Sequence, residues 1–470
     1  MAGSDIPTCR WGIITTGLIS SWFVADLALP RADAKAKHII QAIGSSSIEK
    51  GRDFASKYLA DAPVQPSIYA SYDAVYADPN VDCVYIGSPH GFHKRDCLAA
   101  IAAGKNVLCE KAFTINAQEA KEVFDAAKEK GVYVAEAMWL RHRPMVADLR
   151  RLMYEEKAIG EIFRVSSDFQ MYLDIAALPS TSRYKDTSLG AGSMLDIGIY
   201  PLTWNILMLD PNPPNKAETP TIKAAQSFVQ GIEVTTSVLL HYPSSGRQGI
   251  VTSTTERKNG DSKVVAVIDG TDGFIEVEGG APSHPTSFTV YPKWTGADKA
   301  QGKKHDYKQA AQGFIYEADN TALDLAAGRK ESVIMPWSET IRIMEIMDEI
   351  RRQALLDADE AALEAALAVE LSADAIADEA LLERLASSDE RELAAEPVAV
   401  ESAELIEEAR LASAEVMEAS TDDASLLTEE TTLEMTEEID SELEALDDDA
   451  DASLAVLLVT LLESVVEVWA

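Results

Sequence analysis

Five short apolar runs in the first 140 residues alternate with helix-patterned stretches, and no other feature narrows the fold so far. Strands are read at Arg10–Ile14, His38–Ile43, Val81–Ile86, Asn106–Cys109 and Val132–Ala135. Helices are read at Leu18–Ala28, Glu49–Tyr58, Cys97–Ala103 and Ala117–Lys130, the last closed by Gly131. A helix between successive strands forces a crossover, so the strands are expected to lie parallel in a doubly wound sheet.

After Trp139 the rhythm changes. Pro144–Lys157 reads as a helix, Ile162–Asp168 as a strand, and Met194–Leu209 as a helix behind a glycine-rich loop. Strand-like runs then follow at Thr221–Phe228, Glu233–His241, Gln248–Glu256, Ser262–Ile268 and Gly273–Val277, with helices at Gln312–Ala326 and Trp337–Gln353. Consecutive strands joined by short turns imply an antiparallel sheet. The expectation is an α/β dinucleotide-binding domain over 1–140 and an α+β domain over 141–353 with a large, mainly antiparallel sheet.

The composition breaks at Ala354. From there to Ala470 there is no glycine or lysine, one proline (Pro397) and one aromatic (Trp469). Three arginines against 35 acidic residues place about −32 of the total −37 in this segment, leaving −5 for the rest. Repulsion among so many carboxylates opposes compaction, so a disordered or marginally helical acidic extension is expected, with no part in an active site. Such a segment can attract a basic partner, but it lacks the aromatic anchors of a specific interface. Clustered positive charge is missing, which argues against nucleic-acid binding. Leu454–Ala470 is interrupted by Glu463 and Glu467, so no membrane span is expected. Met1–Trp11 lacks a signal-peptide layout, and Cys9, Cys83, Cys97 and Cys109 have neither metal-site nor disulfide spacing. A cytoplasmic protein without a metal centre is the expectation.

Four motifs carry chemistry. The turn Gly12-Ile-Ile-Thr-Thr-Gly17-Leu-Ile-Ser20 lies at the first strand–helix junction, where a dinucleotide pyrophosphate binds a helix N-terminus. Thr15 stands where the first glycine of that fingerprint falls. The second strand ends in Ser45-Ser46-Ser47 with Lys50 and Arg52 nearby, and without the acid that holds an NAD ribose. Hydroxyls beside cations suit a 2′-phosphate, hence NADP with NAD still possible; Ser45 and Ser46 can also cap the next helix. Ser88-Pro89 with His93, and Glu110-Lys111, follow strands at the ligand-binding edge of such a sheet. Finally, Asp196 and Tyr200 lie four apart on one helical face. A tyrosine beside a lysine, its pKa lowered, can take an alcohol's proton as hydride leaves, and an aspartate can orient the sugar.

In this order and spacing, the Gly17 turn, Glu110-Lys111 and Asp196-x-Gly198-x-Tyr200 resemble the glucose–fructose oxidoreductase/inositol dehydrogenase (GFO/IDH/MocA) superfamily. Glu136-Ala-Met-Trp139-x-Arg141 and the tyrosine at 200 are similar to its dimeric dihydrodiol dehydrogenase and NADP-dependent D-xylose 1-dehydrogenase branch, over about residues 9 to 353. The resemblance implies a Rossmann domain whose Thr15, Thr16, Gly17, Leu18, Ile19, Ser45, Ser46, Ser88, Pro89, His93, Glu110 and Lys111 hold the cofactor. It implies Lys111 and Tyr200 as the catalytic pair with Asp196 assisting, Trp139 and Arg141 near the substrate, and a homodimer through the antiparallel sheet. It also implies a sugar or diol substrate, D-xylose first. Ala112 departs from the family's usual proline, and Leu140 and His142 replace its usual neighbours of Arg141, which leaves the substrate open.

Overall fold

The computed structural model describes residues 6–211, 218–257, 263–294, 302–307 and 311–354. The acidic extension expected from Ala354 onward, and Ser262 of a predicted strand, lie outside these residues except for Ala354 itself, the last described residue of a helix that begins at 337.

The first sheet has six parallel strands: β1 (Thr8–Ile14), β2 (Lys37–Gly44), β3 (Ser67–Tyr69), β4 (Cys83–Ile86), β5 (Asn106–Glu110) and β6 (Val134–Ala137), in the order β3-β2-β1-β4-β5-β6. Helices α1 (Leu18–Ala28), α2 (Ile48–Tyr58), α3 (Tyr72–Ala77), α4 (His90–Ala102) and α5 (Ala117–Lys130) form the crossovers. Helices on both faces explain why Trp11, Ile13 and Ile14 of β1 are all buried, a continuous apolar run rather than an alternating one. The strand order reverses between β1 and β4, and the loops leaving those two strands open a crevice there.

After α6 (Pro144–Tyr154) comes β7 (Ile162–Gln170), then α7 (Ile199–Leu209), β8 (Thr221–Val229), β9 (Ile232–Tyr242), β10 (Arg247–Thr254), β11 (Val264–Gly270), β12 (Phe274–Ala281), β13 (His284–Tyr291), β14 (Lys303–Asp306) and α8 (Ile315–Ala326). These strands form an eight-stranded sheet in the order β14-β13-β12-β11-β7-β10-β9-β8. It is antiparallel throughout except for β7 beside β10. All eleven residues of α7 are buried, as expected of a helix apolar on every side. One continuous apolar core runs from the first sheet into the second.

Several boundaries differ from the sequence reading. The fifth predicted strand lies two residues later, at Val134–Ala137. Strands β3, β13 and β14 and helix α3 were not expected; β3 and α3 are too short to show a period, and Pro285 interrupts β13. Helix α4 begins at His90 rather than Cys97, because Gly91 lets its first turn press backbone to backbone on Ser188. Helix α8 begins at Ile315 rather than Gln312. The Asp26 carboxylate of α1 accepts from the amides of Gln312, Gly313 and Phe314, holding those residues as a capped turn.

Candidate active site

The crevice begins at Thr15, which leaves β1 with φ +76, a conformation costly for a β-branched residue. Its surroundings compensate. Thr15 N donates to Gly44 O (3.1 Å), its hydroxyl donates to Gly87 O (3.0 Å), and it pairs with Ser20 Oγ (3.1 Å). Helix α1 then starts at Gly17 with no side-chain cap and no acid in its first turn. A Cβ on Gly17 would find only Thr15 Oγ1, at 3.9 Å, so the approach is open. Thr16 and Ile19 are half-buried and Gly17 and Leu18 exposed. A free helix N-terminus behind an open glycine fits a dinucleotide pyrophosphate.

At the end of β2 the sequence reading needs correction. The cap of α2 is Ser47, whose hydroxyl accepts from Lys50 N (3.2 Å), not Ser45 or Ser46. Ser45 is buried and its hydroxyl donates to Ser47 O. Ser46 is exposed and accepts from Lys50 Nζ (3.1 Å), with Arg52 exposed nearby in the chain. Ser46 and Lys50, rather than Ser45, fit an adenosine phosphate.

Beyond β4, Ser88 donates to Asp96 (2.8 Å) and Pro89 precedes α4. His93 is fully buried, its ring nitrogens against Ser88 O (2.7 Å) and Ala112 O (3.0 Å), so it braces the loops after β4 and β5 rather than lining the crevice. His90 bridges Lys111 O (3.2 Å) and Gly190 O (3.4 Å), joining the β5 end to the glycine-rich loop; burial and the neighbouring His93 and Lys111 push its pKa down to about 3. Glu110 is buried and accepts from the Tyr85 hydroxyl (2.5 Å); burial pushes its pKa up to about 7, against the pull of Lys111. The Lys111–Ala112 peptide is cis.

Lys111 reaches across to the other half of the fold. Its Nζ donates to Asp196 O (2.7 Å), stands 3.7 Å from Asp196 Oδ1, and lies 5.2 Å from the centre of the Tyr200 ring. Asp196 sits in a π-turn over Met194–Gly198 that runs into α7, where Tyr200 occupies the first turn. Gly198 permits this: a Cβ there would meet Met194 Sδ at 2.8 Å and Ser253 Oγ at 2.9 Å. Burial opposes the Asp196 charge, but Lys111, Arg183 and His90 outweigh it and its pKa falls.

Tyr200 is buried and accepts the indole N–H of Trp139. The expectation that Lys111 lowers its pKa is overturned. Burial first, then the nearby Glu110, Glu317 and Asp196 carboxyls, hold the phenol well above its ordinary value, against the Trp139 hydrogen bond. Lys111 stands over the ring rather than at the hydroxyl. Phe314 stacks on Trp139 (4.5 Å) and Phe169 lies 5.9 Å from Tyr200, completing an aromatic wall.

Arg141 is not at this site. It is buried and pairs with Glu339 in the helix that begins at 337 (2.9 Å). Arg143 instead lies 4.7 Å over the Trp139 ring and donates to Gln312 O. The reason is local. Trp139–His142 is a 3-10 turn, and Pro144 forces Arg143 into an extended conformation (ψ 133) that swings its side chain back. Arg143, Phe314, Arg183 and the unpaired, fully buried Glu317 escaped the sequence reading. Only the Arg-His-Arg run at 141–143 offered a signal.

Residues 9–138 match the profile of the oxidoreductase family with an NAD-binding Rossmann fold, and residues 148–276 match the GFO/IDH/MocA C-terminal domain. The D-xylose 1-dehydrogenase (NADP(+)) of Hypocrea jecorina is 33% identical over 379 residues, 75% of this chain and 94% of that protein. The trans-1,2-dihydrobenzene-1,2-diol dehydrogenase of Sus scrofa is 32% identical over 346 residues, 73% of this chain and 96% of that protein. In fold, the chain is similar to a 3-ketoreductase from Actinomadura kijaniata in complex with NADP and TDP-benzene (TM-score 0.60, 21% identity, 74% of this chain and 98% of that one). The chain belongs to the GFO/IDH/MocA oxidoreductase family, and its cofactor is a nicotinamide dinucleotide. Among the described residues no helix is long and apolar enough to cross a membrane.

Proposed function

We propose that this chain oxidises the anomeric hydroxyl of an aldopyranose, D-xylose first, to the lactone, with NADP in preference to NAD. The observation that carries the reading is the meeting of Lys111, Asp196 and Tyr200 at the carboxyl edge of the parallel sheet, the edge on which the uncapped α1 turn also lies. NADP, when bound, supplies the hydride acceptor. The residues of the chain handle the proton and the orientation. Tyr200, in its deprotonated form, takes the proton of the C1 hydroxyl as C1 loses its hydrogen with both electrons and the C1–O bond becomes a carbonyl. Trp139 steadies the phenolate that takes this proton through its N–H. Lys111, anchored on Asp196 O, keeps positive potential beside the ring, and the anionic Asp196 accepts a sugar hydroxyl. Exposed Ser46 and Lys50 support NADP. Residues 1–140 serve the cofactor and 141–353 the substrate. A trans-dihydrodiol is the second reading, favoured by the aromatic wall of Trp139, Phe169 and Phe314.

The test is NADP reduction, followed by absorbance, with D-xylose, D-glucose and a trans-dihydrodiol. Turnover of an aldose at least tenfold above the diol supports the reading. NADPH binding without turnover of any of them would move the weight to a non-catalytic cofactor-binding regulator.

A homodimer belongs to the same proposal. On the outer face of the large sheet Leu239 and Ile250 sit directly opposite one another, 42% and 39% exposed, and Lys223 and Ser166 extend the row on either side. Paired large aliphatics on a broad sheet face support a partner surface there. Sedimentation should give twice the chain mass, and Ile250→Glu should halve it. A wild-type chain that sediments as a monomer at micromolar concentration would end the idea.

A further inference from the structure

Arg183 is a cation at this site that the mechanism above leaves without a task. It sits in a 3-10 turn (Arg183–Lys185) of the segment between β7 and the π-turn. Its guanidinium lies 4.0 Å from the centre of the Tyr184 ring and donates to the Tyr184 hydroxyl at 2.8 Å. Tyr184 in turn packs on a small separate core of Ile175, Ile232 and Val234, so β9 anchors the loop that carries the arginine. A long, flexible side chain is thereby held in one place.

From that place Arg183 Nη2 stands 3.6 Å from Asp196 Oδ1, and Lys111 Nζ stands 3.7 Å from the same oxygen. Both are ion-pair distances, beyond a true hydrogen bond. Lys111 directs its short hydrogen bond to the Asp196 backbone instead, at 2.7 Å. The Asp196 and Arg183 side chains are 21% and 37% exposed. An acceptor and a donor therefore stand side by side, open to solvent, with their hydrogen-bonding capacity toward each other unfilled. A carboxylate only accepts and a guanidinium only donates, whereas a hydroxyl does both. One hydroxyl fits between them, donating to Asp196 and accepting from Arg183.

We infer that Arg183 and Asp196 together grip the hydroxyl on the carbon next to the one oxidised, which makes Arg183 the residue that selects vicinal diols. This rests on the function proposed above. It names what C1 and C2 of an aldopyranose share with a trans-dihydrodiol: two neighbouring hydroxyls, one reacting and one held.

The experiment measures kcat/KM of the full chain with NADP for D-xylose and D-glucose, each against its 2-deoxy analogue. A hydrogen bond to a charged group sets the expected preference at roughly 10- to 100-fold for the hydroxylated sugar. Arg183→Met should cut that ratio to within a few-fold of one, with most of the loss falling on the hydroxylated sugar. Arg183→Lys, which keeps the charge but loses the fork, should fall between. NADPH affinity, measured by fluorescence, should not move in either variant. Equal losses on both sugars of a pair would show that Arg183 only braces its loop, and that overturns the inference. A wild-type enzyme indifferent to the 2-hydroxyl also overturns it, while leaving the aldose reading intact. NADPH binding with no sugar turned over removes that reading and this inference with it.

Discussion

Tyr200→Phe should lower kcat for aldose oxidation by about a thousandfold, the middle of the range for losing a positioned proton acceptor. The substitution removes one oxygen from a buried ring packed against Trp139 and Phe169, so the fold and NADPH affinity should survive. The pH dependence is a sharper test. Burial and the Glu110, Glu317 and Asp196 carboxyls raise the phenol above its ordinary value, so it stays protonated through the neutral range. Oxidation needs the deprotonated phenol. Its rate should therefore climb about tenfold per pH unit from neutrality and should not level off below pH 10. Reduction of the lactone or ketone uses the protonated phenol, and its rate should be flat over the same span. Glu110, with its pKa near 7, gains charge as the pH rises and holds the phenol protonated further still. A loss of less than tenfold in Tyr200→Phe, or an oxidation rate that is level between pH 7 and 9, would move the proton transfer to another group.

Gly91→Ala should damage stability and turnover together. A Cβ at this position would come within 2.1 Å of Ser188 O and 3.0 Å of Leu189 Cα, so backbone must give way. Alanine favours the helix itself, and the cost arises from the contact alone. Overpacking of this kind destabilises by about 1–3 kcal/mol. The displaced turn leads through Gly190, whose carbonyl faces His90, into the loop before Asp196. A shift of about 1 Å there can cost on the order of 100-fold in kcat/KM. Urea denaturation and aldose kinetics on the same preparation check both parts. Wild-type stability together with wild-type kinetics would mean that the 187–190 turn moves freely and does not position Asp196.

Much of this architecture could be read along the chain. The alternation of the first 140 residues depends on local patterning, with the central parallel strands buried on both faces. Lys111, Asp196 and Tyr200 stood out because glycine-rich turns and strand ends mark where a sheet offers ligand sites. The approximate bounds of β8 to β12 followed from runs of β-branched residues. The elements that went unread were those without a period of their own. Strand β3 has three residues, and the first turn of α4, His90-Gly91-Phe92-His93, has weak helix propensity and is helical only because it packs on the 187–190 turn.

What the sequence alone determined is the kind of fold and which side chains are chemically able to act. Tertiary structure decided which of them meet. Arg143 rather than Arg141 reaches Trp139, because Pro144 sets the backbone of the residue before it. Ser46 rather than Ser45 faces outward, because Ser45 closes its own turn. Tyr200 is a neutral phenol rather than an activated one, because the fold buries it and brings carboxyls from three different elements near it. Each of these outcomes depends on where distant segments place charge and bulk. Local propensity acts over a few residues, whereas burial and Coulomb interaction act over whatever the fold brings near.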